Sequence, residues 1–155
     1  HLGASLDPHA CFLLHRGVKT LAVRMRYQNE SALKIARYLD NHPAINRVNY
    51  PGLESHSHHQ RARELFDGFS GMMSFELKGG IKEAERVIKK ITLPVSAPSL
   101  GGVESLITRP STTSHSGMSP EDRQALGISD SLIRLSVGLE ATEDLIEDFD
   151  QALKA

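Results

Sequence analysis

Two stretches of this chain alternate apolar and polar residues with a period of two, and they limit the fold more than anything else in it. In Phe69–Lys78, Met73, Phe75 and Leu77 alternate with Ser74, Glu76 and Lys78; in Leu132–Glu140, Ile133, Leu135 and Val137 alternate with Arg134 and Ser136. Strand side chains point to opposite faces in turn, so each stretch buries one side and wets the other. Half-polar strands of this kind belong to antiparallel sheets with one covered face.

Helices supply the cover. Asp7-Pro8 reads as an N-cap and first-turn proline for a mostly buried helix over Ala10–Arg16, broken near Gly17. A long amphipathic helix follows from about Thr20 to Asp40, with Met25, Ala32, Ala36 and Leu39 on its inner stripe, ending before Pro43. Ile45–Tyr50 is a short strand, His56, His58 and His59 open a polar helix, and Gly79-Gly80 turns into a helix with Ala84, Val87, Ile88 and Ile91 inside. Val95–His115 is irregular, with some periodicity only around Ser105–Thr108, and Gly101-Gly102 reads as a tight turn. Ser119-Pro120 starts a short helix ending at Gly127, and Thr142 is expected to cap a last helix with Leu145, Ile146, Phe149, Ala152 and Leu153 on one face. The order predicts an α+β fold, a two-layer sandwich of a small, mainly antiparallel sheet with helices.

At 155 residues the chain is long enough for a real core in one domain. Eighteen Lys and Arg against nineteen Asp and Glu give no electrostatic reason to expect nucleic acid as a partner. A single cysteine, Cys11, excludes an intrachain disulfide, and the absence of a long apolar run gives no membrane span; a reducing cytoplasm is the expected compartment. The start at His1 points to a processed product or to the C-terminal piece of something larger.

No self-contained reaction centre emerges. Ser99, Ser114 and Ser116 lack the G-x-S-x-G frame of a nucleophile elbow. Cys11 sits in a stretch that reads as buried helix, where cysteine acts as a small hydrophobe. The three clustered histidines have neither i, i+4 nor finger spacing, so no metal is expected. Lys82, Lys89 and Lys90 fall on wet helix faces. Arg134 remains: on the polar face of its strand it meets either water or an anion, and its planar fork offers two parallel donors to a carboxylate.

The motifs that carry a resemblance are Ser99-Leu100-Gly101-Gly102-Val103-Glu104-Ser105-Leu106, then Pro110 and His115, then Gly127-Ile128-Ser129-Asp130, and Leu132 to Glu140. Earlier in the chain, Asp7-Pro8, Arg16–Leu21, Arg24-Met25, Gln28-Asn29, His42-Pro43, Tyr50–Leu53 and Gly68–Phe75 join them. In this order they resemble the C-terminal region of the pyridoxal-phosphate-dependent Cys/Met metabolism enzymes, the family of cystathionine γ-synthase, cystathionine γ-lyase and methionine γ-lyase.

The resemblance implies the C-terminal domain of a fold-type I PLP-dependent transferase. Residues 1–40 would form an interdomain helical segment and 41–155 the C-terminal α+β domain. The cofactor domain would lie upstream, absent from this chain, and would carry the lysine that anchors pyridoxal phosphate in a Ser-x-x-Lys context, so no catalytic or cofactor-binding residue is expected here. It would not hold the cofactor covalently and would be inactive alone. The substrate-binding residues implied are Arg134 for the α-carboxylate, with Ser99 and the backbone N–H of Leu100 beside it. The substrate would be a small sulfur amino acid or an O-acylhomoserine, processed by elimination or γ-replacement, in a homo-oligomer that is a tetramer in the family. One departure is Pro98, where many members carry a Glu; this removes an acidic contact to the distal amino group of cystathionine. The alternative is a stand-alone, non-catalytic binding or assembly module.

Overall fold

The computed structural model describes residues 5–154; His1 and Ala155, the outer limits of the two expected segments, lie outside the described residues. The elements are α1 (Pro8–Val18), α2 (Leu21–Asp40), β1 (Ile45–Asn49), α3 (His59–Leu65), β2 (Met72–Leu77), α4 (Gly80–Lys90), β3 (Val95–Ser96), β4 (Leu106–Thr108), a 3-10 turn at Pro110–Thr112, α5 (Pro120–Ala125), β5 (Leu132–Ser136) and α6 (Thr142–Leu153). The strands form one five-stranded sheet in the order β1-β2-β5-β4-β3. Every neighbouring pair is antiparallel except β3 with β4. The expected α+β architecture is therefore present.

Alternation places the core. Met73, Phe75 and Leu77 of β2 and Ile133 and Leu135 of β5 face a helical layer built by α2, α4 and α6. Ala32, Ile35, Ala36 and Leu39 of α2 pack there with Ala84 and Val87 of α4 and Leu145, Phe149 and Ala152 of α6. Phe75 and Phe149 meet edge to face, ring centres 5.9 Å apart, the arrangement that aromatic quadrupoles favour. Tyr50 is wholly buried with its hydroxyl donating to the Ser70 carbonyl at 2.9 Å, and burial pushes its phenol up to about 12.

The structure corrects several expectations. The N-cap of α1 holds, Asp7 accepting from the N–H groups of His9 and Ala10, but α1 has no buried residue at all. Cys11 is exposed with it, and Met25 of α2 is 37% exposed. The described residues leave these apolar side chains only partly covered. Thr142 does not cap α6; it is the first helical residue, and its hydroxyl pairs with that of Ser31 at 2.7 Å inside the core. No helix among the described residues is long and apolar enough to cross a membrane.

Candidate functional site

The face of the sheet away from the helices is polar along its middle. Register aligns Asn49 with Ser74, Ser74 with Arg134, and Arg134 with Thr108, a row across four strands. Arg134 is the one charge in that row. Its Nη2 donates to the carbonyls of Pro98 and Ser99 at 2.7 and 2.8 Å. Among the described residues no carboxylate pairs with it, and its buried Nε has no partner. A buried donor left unmade costs about 1–3 kcal/mol, more when charged. The guanidinium is thus fixed through Nη2, and Nη1, which makes no hydrogen bond among the described residues, is the nitrogen left for an acceptor.

The loop Ser99–Ser105 lies against this face, pinned along its length. Gly101 turns it at φ +75°, a conformation other residues rarely adopt. The Gly101 N–H donates to Ser136 Oγ at 2.9 Å, and Gln28 Nε2 to the Gly102 carbonyl at 2.8 Å. Leu139 N–H reaches the Val103 carbonyl at 2.8 Å. Glu140 accepts from the backbone N–H and the hydroxyl of Ser105, at 2.6 and 2.8 Å, while Ser105 Oγ accepts from Gly138 N–H at 2.8 Å. A side chain at Gly138 would stand 2.4 Å from the Val103 carbonyl, so loop and strand backbones touch there.

The three residues singled out from the sequence therefore come together. Ser99 meets Arg134 through its carbonyl. The hydroxyl of Ser99 and the N–H of Leu100 make no hydrogen bond among the described residues, and both residues are exposed. Beside the Arg134 fork this leaves a donor-rich rim suited to a carboxylate. Sequence reasoning passed over Ser136, Gln28, Ser105 and Glu140, which hold the loop. The strand alternation that exposed Arg134 also marks Ser136, but the partners of the other three are remote backbone and hydroxyl groups that no local pattern reveals.

The remaining candidates stay apart from this site. His59 Nδ1 lies 2.8 Å from the Pro51 carbonyl, and its ring stacks on Phe69. Burial and the neighbouring His58 and His59 lower the pKa of His56. No group of three His, Cys, Asp or Glu side chains among the described residues could hold a metal ion. His115 Nδ1 bonds only its neighbour, Ser114 Oγ. All seven lysines are exposed.

Comparison with known proteins adds the following. Residues 1–154 match the family model described as Cys/Met metabolism PLP-dependent enzyme. The chain is 48% identical to cystathionine gamma-lyase of Sus scrofa over 99% of its own length and 38% of that protein's. It is 45% identical to cystathionine beta-lyase of Coxiella burnetii, over 98% of its length and 39% of the relative's. A crystal structure assigned as an O-acetylhomoserine (thiol)-lyase from Campylobacter jejuni, containing N'-pyridoxyl-lysine-5'-monophosphate, superposes with a TM-score of 0.94 at 44% identity, over 99% of this chain and 37% of that one. The chain thus spans a little over a third of the length of these relatives.

Proposed function

The chain belongs to the Cys/Met metabolism PLP-dependent enzyme family, and from that membership we propose that it supplies the substrate α-carboxylate site of a trans-sulfuration enzyme. Arg134 binds the carboxylate, and Ser99 and the N–H of Leu100 add donors beside it. The observation that carries this reading is the Arg134 fork: held by Nη2 on two loop carbonyls, with Nε buried and unpartnered and no acid to neutralise it.

Pyridoxal phosphate, when bound, supplies the electron sink for elimination or γ-replacement. The residues of this chain fit the substrate's acid group rather than the cofactor's aldehyde. A lysine that condenses with an aldehyde is activated by desolvation or a neighbouring cation, and all seven here stand exposed. Ser31-Ala32-Leu33-Lys34 has the Ser-x-x-Lys spacing, but Lys34 stands exposed beside Glu143 and the Ser31 hydroxyl is engaged by Thr142 in the core. Following the resemblance, the lysine anchor is assigned to an upstream domain, and the 155-residue chain alone is inactive in this reading. Residues 1–40 serve as the interdomain segment and 41–155 as the C-terminal domain, with α2 shared, since its second half lies in the core. The apolar side chains of α1 and the start of α2, with Phe12, Leu14 and Val23 each more than half exposed, fit burial against that upstream domain within a homo-oligomer, a tetramer as in the family.

The substrate class is that of sulfur amino acids and O-acylhomoserines. Pro98 brings no charge to the rim, so an acidic contact to the distal amino group of cystathionine is missing at that position. Clamping the α-carboxylate fixes which bond at Cα is presented for reaction, and such orientation is worth several kcal/mol of barrier. In the full-length enzyme, Arg134→Ala is expected to raise KM strongly and to lower kcat/KM by about two orders of magnitude. Arg134→Lys should restore little, because an ammonium lacks the planar fork. Steady-state kinetics with methionine, cystathionine and O-acetylhomoserine provide the test; kinetics unchanged by Arg134→Ala would overturn the reading.

A further inference from the structure

The loop beside Arg134 has no secondary structure between β3 and β4, contains two adjacent glycines and carries the exposed Ser99 and Leu100 at its tip. Left to itself, such a segment would sample many conformations. At the rim Arg134 holds the carbonyls of Pro98 and Ser99 and Ser136 takes the Gly101 N–H, and the rest of the loop is placed by two side chains that stand behind the rim. Gln28 is 3% exposed on α2, and a few residues on that helix is locked into the core by Ile35, Ala36 and Leu39. It is a rigid post whose amide reaches out to the Gly102 carbonyl. Glu140 closes the other end, receiving both the backbone N–H and the hydroxyl of Ser105, and that hydroxyl in turn takes the Gly138 N–H. Between these two anchors the loop backbone rests directly on Gly138, where no side chain fits. Tyr27, one residue before Gln28, donates to the Glu140 carbonyl at 3.1 Å, which ties the two anchors to each other.

We propose that Gln28 and Glu140 are positioning residues of the carboxylate site: by pinning Gly102 and Ser105 they set where Ser99 and Leu100 stand relative to the free edge of Arg134. This deepens the assignment of Arg134 made above and rests on it. Neither residue contacts substrate. Their action passes through the loop backbone, so loosening either anchor weakens recognition of a carboxylate and leaves recognition of the rest of the ligand alone. Binding groups have to be held within about half an ångström of their working geometry, and supporting hydrogen bonds of this kind do that work.

The test uses the full-length enzyme carrying its cofactor and a matched pair of probes, L-norvaline and n-butylamine, which differ by the carboxylate. Competition against substrate gives the affinity of each for wild type, Gln28→Met, Glu140→Gln and Arg134→Ala. Loss of one anchoring hydrogen bond is expected to weaken norvaline about five- to tenfold in Gln28→Met and in Glu140→Gln. Butylamine should stay within about twofold, and cofactor absorbance should be unchanged. Equal weakening of both probes, no change in either, or a lowered melting temperature with the norvaline-to-butylamine ratio retained would each show a merely structural role and overturn the proposal. The Arg134→Ala arm separates the two claims. If it abolishes the ratio while the anchor variants preserve it, positioning fails and the carboxylate assignment stands; if Arg134→Ala preserves the ratio, the carboxylate assignment itself falls.

Discussion

Helices α1 and α6 are close in length and both carry an apolar stripe, yet their fates differ completely. α6 buries Leu145, Phe149, Ala152 and Leu153 against the sheet, sends Thr142 to Ser31 and anchors Thr92 and Leu93 through Asp148. α1 buries nothing: Phe12, Leu13 and Leu14 are each at least half exposed. The contrast shows that an amphipathic pattern states that a face wants cover without stating which part of the molecule provides it. A shallow apolar groove lined by Leu13, Leu14, Val18 and Leu21 runs between α1 and α2, and an exposed patch of this sort marks an interface.

The largest expected effect tests this contrast directly. Phe149→Ala in the 155-residue chain should lower stability by about 3–5 kcal/mol, because it opens a cavity beside Phe75. Phe12→Ala should change it by less than about 0.5 kcal/mol, since the side chain is already wet. Urea unfolding of both variants measures the difference. The comparison sharpens in the full-length protein, where Phe12→Ala should acquire a measurable penalty if α1 is covered there; an equal, negligible effect in both contexts would break the reading of α1 as an interface.

What the sequence made legible follows the same division. β2 could be read because only one of its faces is fully buried, and the period-two pattern survives intact in Met72–Leu77. β5 alternates in sequence, but Leu132 and Ser136 on its second face are buried too, so that face is covered by neighbouring chain rather than wet as the alternation predicts, with Arg134 alone partly exposed. β4 shows only as the weak periodicity around Ser105–Thr108, because its three residues are all buried and too few to display a clear alternation. β3, two exposed residues at the sheet edge, owes its existence to β4 rather than to its own sequence. Arg134 stood out as a lone charge in an apolar strand. Gln28 and Glu140 did not, since Gln28 binds a carbonyl 74 positions away and Glu140 grips a serine 35 positions away. Such long-range links appear only once the sheet has brought the segments together. α1 reads as a buried helix because its residues are largely apolar, and apolar content describes a helix and not its neighbour.

A smaller effect comes from the polar start of α6. Thr142→Val strands the Ser31 hydroxyl in the core and should destabilise the chain by about 1–3 kcal/mol. The double variant Ser31→Ala with Thr142→Val should recover much of that loss, since both partners are then apolar. The corresponding change at α1, Asp7→Ala, removes an exposed cap and should leave global unfolding almost unaltered, because α1 adds little to the cooperative core. Thermal melts of the four proteins decide the point, and a loss at Asp7 equal to that at Thr142 would show α1 to be part of the cooperative unit.

The smallest effect is read only as a pH slope. Burial would raise the pKa of Asp148, but hydrogen bonds from the Leu93 N–H, the Gln151 amide and the N–H and hydroxyl of Thr92 outweigh it and hold the carboxyl below its usual range. With the folded pKa depressed, the unfolded chain binds the proton first as acid is added. The contribution of Asp148 is therefore complete above the unfolded carboxylate pKa of about 3.9 and is lost as pH falls through the folded value. Asp148→Asn should be less stable than wild type at pH 7 and should show a shallower loss between about pH 5 and pH 3. Parallel acid limbs for the two proteins in denaturant titrations would mean that Asp148 does not tie α6 to the Thr92–Leu93 segment through its charge, and the firmness of α6 relative to α1 would then rest on apolar packing and the Thr142–Ser31 bond alone.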